Sequence, residues 1–370
     1  MNIAIINTLP IPSGNASVNR VLSYAKELVS LGNEVTVLSS GKSEDKEGNI
    51  YGVRYRNFGY LGLIESLFAI MKSLKVGKPD VAILVSNSLL LIYPIWFTCK
   101  INGIKLLQEK SEFPFVLMKK GVLNKLWAKF YVNTTYKLFD GMIVMTHPLM
   151  EYFSTKVRKD CCLFEMPMTV DVERFAIEKT DSEYGDYIAY CGNMAGNKDG
   201  VLNLIEAFKI ASKEIPDVNL LLIGGSSNQE DWERIVKAVK DSENENIILH
   251  GKAARDDMPS LLKNAKALAL ARPSGLQSAG GFPTKLGEYL STGNPVIVTK
   301  VGDIPYYLND SNAFVVEPDD NQAFADAIIS VFSDYEGALK IGEKGKEVAL
   351  SVFNAKVQAR RLNDFIRSII

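Results

Sequence analysis

The chain has 370 residues, 47% apolar and 23% charged, which is enough for two separately cored domains and too apolar for a disordered chain. Its 42 Lys+Arg and 43 Asp+Glu give a formal net charge of -1, and no basic stripe runs through it, which argues against a nucleic-acid partner. The four cysteines (Cys99, Cys161, Cys162, Cys191) lack C-x-x-C spacing and two are adjacent, so a reducing compartment fits better than a disulfide framework or a zinc finger.

The opening "MNIAIINTLPIP" reads as a buried strand with no basic stretch before it, so no secretory signal is expected and the cytoplasm is the default. The loop "PSGNASVNR" (12–20) follows, then an amphipathic helix closed by Gly32 and a strand at 34–39. Gly14 is the only glycine of that loop; it permits close backbone approach, but a lone glycine is not the G-x-G-x-x-G fingerprint of a nicotinamide enzyme. Further strands are expected at 81–86, 104–109 and 141–146. The apolar run "LLLIYPIWF" (89–97) contains a proline and is too short to span a bilayer.

Residues 1–178 carry 21 basic and 16 acidic residues (+5), and 179–370 carry 21 and 27 (-6). Part of the basic excess lies in "KKGVLNKLWAKFYVNTTYKLFD" (119–140), where Lys119, Lys120, Lys125, Lys129 and Lys137 alternate with Leu123, Trp127, Phe130 and Tyr131. Such a helix suits an anionic membrane surface, and equally a half-buried helix with solvated lysines. Within "QEKSEFP" (108–114), which follows a strand, Glu109 and Glu112 are read either as acids that orient an acceptor hydroxyl or as solvated loop acids, and His147 either faces a ligand or is satisfied at a helix start.

A polar stretch at 167–186 reads as a linker, after which strands recur at 187–193, 219–225, 246–251, 267–272, 295–299 and 313–317. Two passages of strand–helix alternation predict an α/β chain of two Rossmann-like, doubly wound parallel-sheet domains, 1–178 and 179–353, with ligands beyond the carboxyl ends of the strands where the lobes face one another. A terminal helix over 354–370 follows from Val357, Leu362, Phe365, Ile366 and Ile369.

The most informative segment is "GGFPTKLGEYLSTGNPVI" (280–297). Leu286, Tyr289 and Leu290 recur at helical spacing between a start at Pro283-Thr284 and a stop at Gly293-Asn294-Pro295. First-turn amides with Thr284 and Lys285 beside them suit a diphosphate, whereas the carboxylate of Glu288 suits vicinal hydroxyls. Phosphate plus ribose is a nucleotide; the alternative is a solvated glutamate that favours the helix dipole.

In their order and spacing, "NIAIINTLPIPSGNA", "TVDVERF", "YCGNMAGNKDGVLNLIEAF" (190–208), "LLIGG" (221–225) and the segment at 280–297 resemble the retaining GT-B glycosyltransferases of family 4, or glycosyl transferases group 1, over nearly the whole chain. The version of the last motif is similar to members that build capsule, exopolysaccharide and lipopolysaccharide. The resemblance implies a nucleotide diphosphate sugar donor, uridine preferred over guanosine, bound by Glu288 on the ribose and by amides around Thr284, Lys285 and Leu286 on the phosphates. It also implies that Lys198 offsets charge on the leaving phosphate, with Gly14, Asn15, Gly192, Asn193 and Gly224 against the donor, and that 354–370 crosses back onto the first lobe. Two positions depart from the pattern: Asn193 stands where an arginine is common, and Gly280 where a second glutamate is common. Arg272, at the end of "ALALAR", is the candidate substitute cation, with a surface ion pair as the alternative; Gln277 or the amides of Gly280 and Gly281 would meet the sugar. No metal and no cofactor are expected. The implied activity is metal-independent hexosyl transfer, with retention, to a glycan or lipid-linked acceptor by a cytoplasmic, peripherally membrane-bound enzyme. A non-catalytic sugar-nucleotide-binding subunit and a sugar-nucleotide epimerase are the alternatives.

Overall fold

A computed structural model of the chain describes residues 1–13, 15–114 and 129–370. Gly14, Lys119, Lys120 and Lys125, singled out above, lie outside the described residues. The chain forms two compact units, Met1–Thr169 with Ala355–Ile370, and Val170–Asn354.

The first unit is an eight-stranded sheet. Its strands are β1 (Asn2–Asn7), β2 (Glu34–Ser39), β3 (Glu47–Ile50), β4 (Val53–Asn57), β5 (Val81–Val85), β6 (Lys105–Lys110), β7 (Gly141–Val144) and β8 (Cys162–Glu165). The order is β3-β4-β2-β1-β5-β6-β7-β8, parallel throughout except for the β3-β4 hairpin. Ile3 to Asn7 are all buried, as a strand covered on both faces must be, which is why it reads as an unbroken apolar run. The sequence did not mark β3, β4 or β8. β3 and β4 form a hairpin at the sheet's edge, and "CLFE" of β8 is one exposed and three half-exposed residues, too short for a periodicity to show.

Helix Ala16–Ser30 begins at Asn15, whose Oδ1 accepts from the Ser17 amide at 3.0 Å, and ends before Gly32 in a left-handed conformation. Against it packs helix Ala355–Ile369, with Ala359, Leu362 and Ile366 in one core with Val18, Val21 and Ala25. Asn33 Nδ2 donates to Asn363 Oδ1 at 2.9 Å, which joins two buried polar side chains across the seam. Of the segment at 119–140, the described residues 129–134 are helical and Thr135–Leu138 form a 3₁₀ turn; Phe130 is exposed and Tyr131 buried.

The second unit is an all-parallel sheet ordered β11-β10-β9-β12-β13-β14. Its strands are β9 (Tyr187–Asn193), β10 (Asn219–Gly225), β11 (Ile247–Gly251), β12 (Ala267–Leu270), β13 (Val296–Thr299) and β14 (Phe314–Val316). The chain winds outward from β9 to β11 and then returns to place β12 on the other side of β9. The switch point therefore falls between β9 and β12, where the loops beyond their carboxyl ends diverge and leave room for a ligand. Within the stretch read as a linker, Val172–Phe175 makes a 3₁₀ turn that buries Phe175.

Leu362 has no solvent exposure. Leu362→Ala is expected to lower the unfolding free energy by about 2–5 kcal/mol through lost burial and the cavity left behind. Urea denaturation monitored by circular dichroism measures it, and deletion of 355–370, which strips the cover from helix Ala16–Ser30, should abolish soluble expression.

Candidate functional site

The polar residues at the switch point of the second unit converge on one buried carboxylate, Asp199. β9 delivers Tyr190 and reaches Gly192, whose φ of +150° favours glycine; a Cβ there would also displace the end of the Lys285 side chain, meeting its Cε at 2.8 Å. Gly224, at the end of β10, has φ +130°, and a Cβ on it would strike the carbonyl oxygen of Gly192. After the 3₁₀ turn Ala195–Asn197 the chain presents Lys198 outward and Asp199 inward. The Lys285 ammonium sits directly on Asp199 Oδ2 and 4.5 Å from the centre of the Tyr190 ring. Arg272 Nε lies 3.7 Å from Asp199 Oδ1, and the Tyr190 hydroxyl donates to Oδ2 at 3.1 Å.

Burial alone would raise the Asp199 pKa; Lys285, Arg272 and the Tyr190 hydrogen bond outweigh it and hold the carboxyl below its ordinary range. Tyr190 is pushed well above its own, first by burial and then by Asp199, so it stays a neutral donor. Tyr289 fixes the opposite side: its hydroxyl accepts from the Cys191 amide at 2.7 Å and ties helix Lys285–Ser291 to β9.

Several expected site residues take other positions. Arg272 is 1% exposed, so it is neither a surface ion pair nor an open phosphate fork; Nε reaches the Lys198 carbonyl at 3.5 Å and Nη1 that of Gly281 at 3.4 Å. Lys285 turns toward β9 and Asp199 rather than toward an anion at its own helix start. The Leu286 amide donates to the Pro283 carbonyl at 3.0 Å and the Gly281 amide to the Gln277 carbonyl at 3.1 Å, because each closes a short turn; both amides are thereby engaged. Thr284 caps the helix without a side-chain bond, Gln277 is exposed and Gly280 is buried in the short helix Leu276–Gly280. Asn193 is exposed, and its side chain accepts from the Ala195 amide at 3.1 Å.

Glu288 retains an accessible carboxylate: its side chain is 29% exposed and lies 3.5 Å from Arg174 Nη1. Burial raises its pKa, and Arg174, Lys285 and Arg255 oppose the rise. Asp199, Tyr190 and Arg174 were missed in the sequence. "NKDG" drew attention to its lysine, yet the acid beside it is the residue that organises the site.

In the first unit Glu109 is no loop acid. It lies in β6, 7% exposed, with Oε1 2.6 Å from Arg20 Nε and Oε2 accepting from the Tyr24 hydroxyl at 2.8 Å. The rest of the Arg20 guanidinium donates to the carbonyls of Met166 and Pro167 at 2.8 and 2.7 Å, so both oxygens of Glu109 are committed to joining helix, sheet and the chain beyond β8. Glu112 is half-buried. His147 opens helix His147–Ser154 with Thr146 as cap, and its Nε2 is 3.4 Å from Glu165 Oε2. Next to Glu109, burial lowers Lys110 to about 7; its ammonium contacts Asn87 Oδ1 and lies 5.1 Å from the Tyr136 ring centre.

Because the folded pKa of Asp199 is depressed, its contribution to stability is present above the ordinary carboxylate range near pH 4 and is lost as pH falls through the lower folded value. Thermal unfolding between about pH 6 and 2 is expected to show a steep acid limb that flattens in Asp199→Asn. Asp199→Ala, which leaves two buried cations facing no anion, should cost about 3–5 kcal/mol at neutral pH.

A family model described as glycosyl transferases group 1 matches residues 185–334, the span that contains every residue around Asp199. A poly(glycerol-phosphate) alpha-glucosyltransferase of Bacillus subtilis is 25% identical over 214 residues, 57% of this chain; the matched part spans 30% of that relative's length. Among solved structures, sucrose-phosphate synthase from Thermosynechococcus elongatus superposes with a TM-score of 0.78 at 17% identity, covering 100% of this chain and 98% of its own. HepE of Anabaena, solved with UDP, superposes with a TM-score of 0.77 at 15% identity over 100% of both chains. Residues 185–334 thus form a glycosyl transferases group 1 region in a chain whose fold is that of the GT-B glycosyltransferases.

Proposed function

We propose that the chain is a glycosyltransferase that moves a hexose from a nucleotide diphosphate sugar, a uridine one in preference to a guanosine one, to a glycan or lipid-linked glycan in surface polysaccharide synthesis. The observation that carries the reading is the accessible Glu288 carboxylate at the first turn of helix Lys285–Ser291, inside the span matched by the family model. A carboxylate so placed accepts from both ribose hydroxyls, and Arg174 opposes the rise in pKa that burial imposes on it. HepE is solved with UDP and with UDP-glucose, and the name of the Bacillus subtilis relative states glucosyl transfer to a phosphate-containing polymer.

In this reading the second unit, 179–353 as drawn from sequence, binds the donor and 1–178 binds the acceptor. Lys198 meets the diphosphate from the loop after β9, with Gly192, Gly224 and Thr284 lining the approach. Arg272 and Lys285 act one step back: by fixing Asp199 they hold the Lys198 loop and helix Lys285–Ser291 in register. Gln277 and the Gly280-Gly281 segment adjoin the sugar where a glutamate is missing. Transfer proceeds with retention and without a metal, the charge on the leaving phosphate being offset by Lys198. The chain acts at the inner face of the plasma membrane.

The experiment is turnover of uridine, guanosine and adenosine diphosphate sugars with and without glycan acceptors, nucleotide affinity being measured separately. Slow hydrolysis or transfer with retained anomeric configuration, undiminished by a chelator, is the expected result. An isomerised donor indicates an epimerase, and binding without turnover on any acceptor a non-catalytic subunit. Glu288→Gln should weaken donor binding by about 1–3 kcal/mol, and wild-type affinity should fall on acidification through the raised Glu288 pKa while that of the variant does not. Lys198→Ala should lower turnover by about 10²–10³ with a smaller effect on affinity, since charge on the departing phosphate peaks in the transition state.

A further inference from the structure

The first unit carries an apolar surface that donor chemistry does not use. Helices Leu63–Gly77 and Leu89–Asn102 pack side by side on one face of its sheet. The second of them has a single charge, Lys100, and buries one side through Leu91, Ile92, Ile95 and Cys99. Its other side presents Leu90, Pro94, Phe97 and Ile101, spaced four, three and four residues apart and therefore in one stripe. The neighbouring helix adds Leu63, Ile64 and Phe68. Apart from half-buried Pro94, all these side chains are between 56% and 66% exposed, and an apolar cavity of about 310 Å³ opens between the two helices. An apolar helix exposed along one side is costly in water unless something apolar covers it.

Charge says what covers it. Both helices link parallel strands, so they run in the same direction and their C-terminal ends lie at the same edge of the unit. That edge carries exposed Lys72, Lys75 and Lys78 from one helix and Lys100 from the other, whereas Glu65 is the only acid in either helix. Apolar side chains bordered by cations match the acyl boundary and phosphate headgroups of an anionic lipid layer. No helix among the described residues is long and apolar enough to cross a membrane, so the contact is one of a face lying on a surface. We propose that this face docks the chain on an anionic lipid monolayer, with Ile64, Phe68, Leu90 and Phe97 entering the acyl boundary and the four lysines meeting headgroup phosphates. The lysines invoked here are other residues than those of 119–140, and the proposal does not depend on the donor assignment.

Flotation of the full chain with phosphatidylcholine vesicles, with and without phosphatidylglycerol, tests it. The wild type should float with the anionic vesicles and release as salt rises. Phe68→Ser combined with Phe97→Ser, both on the surface, should reduce the bound fraction at least about tenfold, the loss expected when two phenyl groups no longer leave water. Lys72→Gln, Lys75→Gln and Lys100→Gln together should remove the advantage of phosphatidylglycerol, while Lys119→Gln, Lys120→Gln, Lys125→Gln and Lys129→Gln together should leave binding intact. An unchanged melting temperature shows that each variant is folded, whatever the donor assays give. Wild-type flotation by the double serine variant would overturn the proposal. So would loss of binding in the 119–129 variant alone, or a wild-type dimer that the serine pair dissociates without affecting flotation, which would make the face an interface between copies.

Discussion

The second unit depends on one buried ion-pair cluster. Asp199 is placed where β9 and β12 part, and two cations from distant points of the chain, Arg272 and Lys285, converge on it. Charges this deeply buried are tolerable only as a set: each would face a desolvation penalty of several kcal/mol alone, and the Tyr190 hydroxyl supplies the remaining hydrogen bond. The cluster links the loop after β9, the end of β12 and helix Lys285–Ser291. The position of the Glu288 carboxylate is thereby inherited from contacts that Glu288 itself does not make. Gly192 belongs to the same construction, since the space a side chain would fill is the space through which Lys285 passes.

The first unit has its own version of this solution. Arg20 and Glu109 are both nearly inaccessible, and their pairing is completed by Tyr24 and by two backbone carbonyls beyond β8, so no charge or donor in the group is left to the low-dielectric interior. Burial beside Glu109 pushes the Tyr24 hydroxyl well above its ordinary range, which keeps it a donor. Lys110, the next residue along β6, has no carboxylate paired with it among the described residues; burial lowers it to about 7, with aromatic faces and the Asn87 side chain as partners. Adjacent residues on a strand point to opposite faces, and here they meet opposite electrostatic fates.

A further consequence concerns division of labour. The buried cations serve architecture, whereas Lys198 beside the switch point and the lysines at the edge of the two apolar helices are exposed, and it is to these that the proposals above assign ligand and surface contacts. Counting charges along the chain gives nearly balanced totals. Separating them by depth is what distinguishes groups that hold the fold from groups that can meet a partner.

The sequence by itself determined the two parallel sheets, because strands covered on both faces need unbroken apolar runs such as "NIAII", "VAILV" and "NLLLIGG", and helices between them need Gly or Asn punctuation. It also marked the segment around Glu288, where helix start, carboxylate and glycines fall within a few residues of one another. It did not show the hairpin β3-β4 or strand β8, which are held by their neighbours in the sheet rather than by their own pattern. Nor did it show the fate of individual charges. Lys285, Arg272 and Glu109 look alike in one dimension to any exposed ion; only the folded chain decides that each is buried against a partner 86, 73 or 89 residues away. Pairing of that kind is set by the crossing of strands and the return of the chain at a switch point. Local propensity carries no record of such contacts, because the energy that fixes them exists only once the sheet has excluded water.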